Sequence, residues 1–82
     1  MKIYWTGDSK NIIGKKVRAL RKAQGMTQKA LATKVQLAGY DFNDLTVLRI
    51  ENGTRFVADY EVKVLSKALN VSYEELLGKI DE

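Results

Sequence analysis

The sequence predicts an all-α domain: five compact helices preceded by a short extended N-terminal arm. Three observations carry that expectation. Apolar residues recur at three- and four-residue steps through most of the chain. Capping residues or glycines stand where each periodic stretch begins or ends. Proline is absent, so glycine alone punctuates the chain. At 82 residues, 45% of them hydrophobic, there is material for one core and not for two. The expected organisation is an arm over 1–11, a helical domain over 12–78 and a tail over 79–82.

In the arm, Ile3 and Trp5 alternate with Lys2, Tyr4 and Thr6 before Gly7 and Asp8 turn the chain. The first helix is expected from Ile13 to about Gln24. Ile13, Val17, Leu20 and Ala23 share its buried side, and Lys15, Arg18 and Lys22 form a solvent-facing basic stripe opposite. Gly25 ends it. Thr27 is the cap of a second helix from Gln28 to about Ala38, with Leu31, Ala32 and Val35 inside and Gly39 after it. Asn43 opens a third, Asp44 to Asn52, closed by Gly53 in the left-handed position. Asp59 is placed as cap of a fourth, built on Val62, Leu65, Ala68 and Leu69 and ending near Asn70. Ser72 and Glu75 form a capping box for a fifth, which carries Leu76 and Leu77.

Composition excludes much chemistry. With neither Cys nor His there is no thiol nucleophile, imidazole base or ordinary zinc or iron site. The carboxylates Asp41, Asp44 and Glu51 gain no base or metal-ligand partner from their spacing. The expectation is a protein that is not an enzyme and needs no metal or cofactor. No secretory signal and no 18-residue apolar run appear, so a cytoplasmic protein with no membrane partner is expected. Charge is divided unevenly. Residues 1–36 hold nine Lys or Arg against Asp8 alone, and residues 37–82 hold five against nine acids. A basic half suits a polyanion, double-stranded nucleic acid foremost, although a solvated basic surface has the same composition.

Four pieces of sequence then fall in order. They are Ile13-Gly14-Lys15-Lys16-Val17-Arg18-Ala19-Leu20-Arg21-Lys22, Gly25-Met26-Thr27-Gln28-Lys29-Ala30-Leu31-Ala32, Arg49-Ile50-Glu51-Asn52-Gly53-Thr54-Arg55 and Leu65-Ser66-Lys67-Ala68-Leu69-Asn70-Val71-Ser72. Over about residues 12 to 78 the chain resembles the Cro and phage-repressor helix-turn-helix family, also called the XRE family. The resemblance implies a lambda-repressor-like DNA-binding domain and a sequence-specific transcriptional regulator, most simply a repressor. Helix 28–38 would lie on the DNA backbone and helix 44–52 in the major groove. One departure stands out: seventeen residues separate Ala32 from Ile50, more than the family spacing. The stretch Arg55-Phe56-Val57-Ala58-Asp59-Tyr60-Glu61 is similar to a branch with such a lengthened turn. The extra residues, around Gln36 to Phe42, are expected to lengthen helix two and widen the connection, with Tyr40 and Phe42 filling the space.

The resemblance also implies a set of site residues. Asp44, Leu45, Thr46, Leu48 and Arg49 are the candidate base readers. Arg49 suits guanine O6 and N7, Leu45 or Leu48 a thymine methyl, and Asp44 only a cytosine amino group, since phosphates repel it. Thr27, Gln28, Lys29, Asn43, Asn52, Thr54 and Arg55 are the candidates for the DNA backbone. For Gln28 and Arg55 the alternative is a solvated side chain. Arg21 and Glu51 correspond to a partly buried ion pair of the family, a structural role. A homodimer reading two half-sites is expected, with Leu76, Leu77 and Ile80 as candidate contacts. A different class of function stays open: a protein-interaction module, such as an antitoxin or anti-regulator, using the exposed Leu45 and Leu48 face on a protein partner.

Overall fold

A computed structural model describes residues 9–78. Most of the arm expected over 1–11, including Ile3 and Trp5, and the tail at 79–82 lie outside those residues. Among the described residues the regular elements are five helices: α1 (Gly14–Ala23), α2 (Gln28–Leu37), α3 (Asp44–Glu51), α4 (Asp59–Leu69) and α5 (Tyr73–Leu77). The fold class is as expected.

Local chemistry sets most of the ends. The Thr27 hydroxyl accepts the Ala30 N–H at 3.0 Å and starts α2. Asn43 and Thr46 close α3 reciprocally, and Ser72 and Glu75 do the same for α5. Gly25, Gly39 and Gly53 take positive φ just past α1, α2 and α3, and Asn70 (φ 54°) ends α4 in the left-handed region. One cap differs from expectation. Asp59 is the first residue of α4, and the cap is supplied by Glu61, whose carboxylate accepts the Ala58 N–H at 3.0 Å.

Helices α2 and α3 pack closely. Val47 and Ile50 of α3 face Leu31, Ala32 and Val35 of α2, while Ile13 and Val17 of α1 and Val64, Leu65 and Leu69 of α4 close the core. Ala23, expected on the buried side of α1, is exposed, because the helix ends as it leaves the core. The lengthened turn resolves differently from the expectation in one respect. Helix α2 stops at Leu37, and the extra residues build the connection instead of more helix. Phe42 enters the core at 2% exposure, and the Gln36 side chain donates to its carbonyl. Tyr40 packs against the core edge and stacks on Tyr60 with ring centroids 6.0 Å apart. Both rings therefore fill space as expected. Leu76, a candidate for a dimer surface, is instead a core residue at 1% exposure, whereas Leu77 is exposed and Ile80 lies outside the described residues.

Candidate nucleic-acid interface

Helix α3 has two unlike sides because successive residues advance by about 100° around its axis. Val47, Ile50 and Glu51 face inward. Asp44, Leu45, Leu48, Arg49 and the following Asn52 are exposed, with Leu45 at 45% and Leu48 at 41%. Among the described residues nothing hydrogen-bonds the Arg49 guanidinium, so its whole donor fork faces solvent. Two apolar side chains and one unengaged arginine thus share a face that the core cannot use.

Several candidate polar residues are committed to shaping that face. The Asn43 carboxamide oxygen accepts the Thr46 N–H at 2.9 Å and the Thr46 hydroxyl at 3.0 Å, so Thr46 is tied to the cap. The Asp44 carboxylate accepts the Leu45 N–H at 3.0 Å. After the helix, the Asn52 side-chain oxygen accepts the Thr54 N–H at 3.2 Å and the Thr54 hydroxyl at 2.7 Å. That turn directs residues 53–55 back toward the body of the domain.

At the start of α2, Lys29 is exposed, and the first backbone N–H groups have no intrahelical acceptor. Gln28 is half-buried. Its amide donates to Glu51 Oε1 at 3.2 Å, joining it to the ion pair expected between Arg21 and Glu51. That pair is present and bidentate, with Arg21 Nε to Glu51 Oε2 at 2.6 Å and Nη2 to Oε1 at 3.0 Å. A third donor, Nη1, reaches the Met26 carbonyl at 2.7 Å. The hydrogen bond to Glu51 raises the Arg21 pKa further above its ordinary value against the opposing effect of burial. Helix α2, the turn before it and α3 are therefore joined at one buried point.

Arg55 has a partner that sequence reasoning did not supply. Its two Nη atoms donate to Glu61 at 2.8 and 2.9 Å, Nη1 also donates to the Phe56 carbonyl, and the guanidinium sits 5.7 Å from the Phe42 ring centroid. The side chain is turned to α4 and the core rather than projecting alone. Its hydrogen bonds hold the Glu61 carboxyl below the ordinary carboxylate range, against a smaller opposing effect of burial. The one signal for this pair was an acidic residue at the third position of α4, which reads equally well as a plain helix-start carboxylate. Asn11 is the second residue missed: it bonds to Ile50, Arg55 and Gly14. Lys15, Arg18 and Lys22 are exposed as expected. Among the described residues no cluster could hold a metal ion, and no helix is long and apolar enough to cross a membrane.

An all-helical domain in which a capped pair, α2 and α3, is locked by a buried Arg–Glu pair defines a helix-turn-helix protein. The Helix-turn-helix family model matches residues 17–76, and the chain belongs to that family, of the Cro and phage-repressor kind. Among its relatives is Antitoxin PezA of Streptococcus pneumoniae serotype 4 (strain ATCC BAA-334 / TIGR4), 34% identical over 68 residues. That match takes in 83% of this chain and 40% of the antitoxin, so the chain spans well under half the length of this relative. Among solved structures the chain is similar to the P22 c2 repressor protein in complex with synthetic operator 9T in the presence of Tl+. The TM-score is 0.69 at 26% identity, with 83% of this chain and 96% of that one covered.

Proposed function

We propose that the chain is a sequence-specific binder of double-stranded DNA that regulates transcription by occupancy, most simply as a repressor in the cytoplasm. It acts by binding and not by catalysis. The observation that carries this reading is the exposed side of α3, where an unengaged Arg49 shares a face with two half-exposed leucines while the opposite side is fixed in the core. Arg49 takes guanine, Leu45 and Leu48 take thymine methyl groups, and Asp44 takes a cytosine amino group. Thr46 supports this row from the cap. Lys29, the free N–H groups that open α2, Asn43, and the turn of Asn52 and Thr54 meet phosphates. Gln28 faces phosphate through the half of its amide that Glu51 does not hold. Arg55 contributes by holding the turn's shape through Glu61. The solved repressor, described as a complex with an operator, supports the same reading.

A second copy completes the regulator. Tyr60, Tyr73 and Leu77 expose apolar surface along an open groove of about 580 Å³ on α4 and α5, with Asp59 and Lys63 on its border. A two-fold axis through this groove would set Asp59 of one copy against Lys63 of the other, the opposite charges that a self-complementary surface can use.

The test is selection of bound duplexes from a randomised pool at moderate salt. A two-fold symmetric motif is the expected result. On it, Arg49→Ala should lose about 1–3 kcal/mol and its base preference, whereas Lys29→Ala should weaken all duplexes alike and flatten the salt slope. Equal losses on selected and scrambled duplexes for Arg49→Ala would remove it from the base readers. The antitoxin relative favours one other reading, a module that places Leu45 and Leu48 on a protein partner. Folded protein with no enriched motif and no salt-dependent binding would favour that alternative.

A further inference from the structure

The residues just before α1 grip the far end of α3. One side chain does most of it: Asn11 Nδ2 donates to the Ile50 carbonyl at 3.1 Å and to the Arg55 carbonyl at 2.9 Å, and its Oδ1 accepts the Gly14 N–H at 2.8 Å. The Lys10 N–H adds a bond to the Gly53 carbonyl at 2.8 Å. The Ser9 hydroxyl donates to the Asn11 carbonyl at 2.6 Å and holds the Asn11 backbone in place. The approach is close enough to need glycine on both sides. A Cβ on Gly14 would lie 2.2 Å from the Ile50 carbonyl oxygen, and one on Gly53 would lie 2.5 Å from the Ser9 hydroxyl.

This seam bears on the exposed face of α3 for a geometric reason. The helix has only eight residues, so a shift at one end is felt along its whole length. Its N-terminal end is closed by its own capping box, whereas at its C-terminal end the Ile50 carbonyl accepts two bonds, the Gly53 N–H at 3.1 Å and the Asn11 amide, and only the second ties the helix to α1. Arg49 is the neighbour of Ile50, so a pivot at that carbonyl moves the arginine directly. Only a carboxamide suits the place. A carboxylate has no N–H to give either carbonyl, and a serine hydroxyl has one proton for two acceptors.

We propose that Asn11 is a positioning residue for base reading: it clips the C-terminal end of α3 to the start of α1 and thereby aims Arg49. The proposal rests on the DNA-binding reading above. It predicts a larger loss of discrimination than of general affinity, because the phosphate contacts at α2 do not pass through the clip, whereas those of the turn at Asn52 and Thr54 do.

The experiment compares the full chain with Asn11→Ala, Asn11→Asp and Gln24→Ala on the selected duplex and on a scrambled one, at one salt concentration, with thermal unfolding of each. Gln24 is the structural control. Its amide caps the other end of the core, donating to the Leu69 carbonyl at 2.6 Å, so its loss costs stability without touching α3. Asn11→Asp keeps the volume and the acceptor for Gly14, and it serves if the alanine variant does not fold. The expected result is a specificity ratio reduced about tenfold in the Asn11 variants, of the order of one base contact, with scrambled-duplex affinity falling by less than that and the Gln24→Ala ratio little changed. An unchanged ratio in folded Asn11 variants, or an equal fall in Gln24→Ala, overturns the clip while leaving the DNA-binding reading intact. A wild-type chain with no preference between the duplexes overturns both.

Discussion

Two arginine–glutamate pairs flank the C-terminal end of α3, alike in bond lengths and unlike in surroundings. In Arg21–Glu51 the two side chains are 9% and 3% exposed; in Arg55–Glu61 they are 33% and 10% exposed. Each pair is further committed on both sides, the first by the Met26 carbonyl and Gln28, the second by the Phe56 carbonyl and the Ala58 N–H. The second has water within reach of its guanidinium. A geometric list would rank them as equals, but a charge stranded in the core cannot be rescued by solvent, whereas one at the rim can. Burial of the partner left behind decides what a lost pair costs.

The widest separation of the two pairs should come from Glu51→Ala. It leaves Arg21 buried with one protein acceptor and should cost about 3–5 kcal/mol in denaturant unfolding. A loss near that of a surface pair would break the comparison. The next effect tests whether charge alone holds the α1–α3 seam. Gly14→Ala forces a methyl group onto the Ile50 carbonyl, and it should cost about 1–3 kcal/mol with both pairs intact. Full stability in that variant would show that the seam can open without penalty.

The smallest effect is Glu61→Gln, about 1 kcal/mol at neutral pH. Its pH dependence sharpens the contrast. The Glu61 carboxyl is held below its ordinary 4.5, so in acid the unfolded chain binds its proton first. The stabilisation is complete above the unfolded value and disappears as pH falls through the folded one. Wild type and Glu61→Gln should therefore differ by a constant amount above pH 4.5 and converge below it, as unfolding curves from pH 7 to pH 3 would record. A gap that persists in strong acid would mean that the charge of Glu61 is not what stabilises the turn.

What was legible in the sequence was what is local. Thr27, Asn43 and Ser72 act on N–H groups three residues away, and Val47 and Ile50 share a side of one helix, so spacing alone places them. The Arg21–Glu51 pair spans thirty residues and came from family resemblance, not from pattern. Other long-range partners had no such guide. Asn11 reaches across 39 and 44 residues, and nothing about one asparagine before a helix points to carbonyls so distant. Arg55 reads from the sequence as a contact to the DNA backbone or a solvated turn arginine, because its acceptor lies beyond a helix start for which Asp59 is the evident cap. Leu76 and Leu77 are adjacent and chemically identical, and only the packing of α5 decides that the first enters the core.

Phe42 gives the lengthened connection a further property. With its ring in the core and its carbonyl held by Gln36, the segment between α2 and α3 cannot detach while the helices stay folded. Native-state amide hydrogen exchange should therefore find the slow amides of α2 and α3 released by a single opening with a common free energy. Where a polar loop would have insulated two helices from one another, one aromatic ring makes them a single cooperative unit.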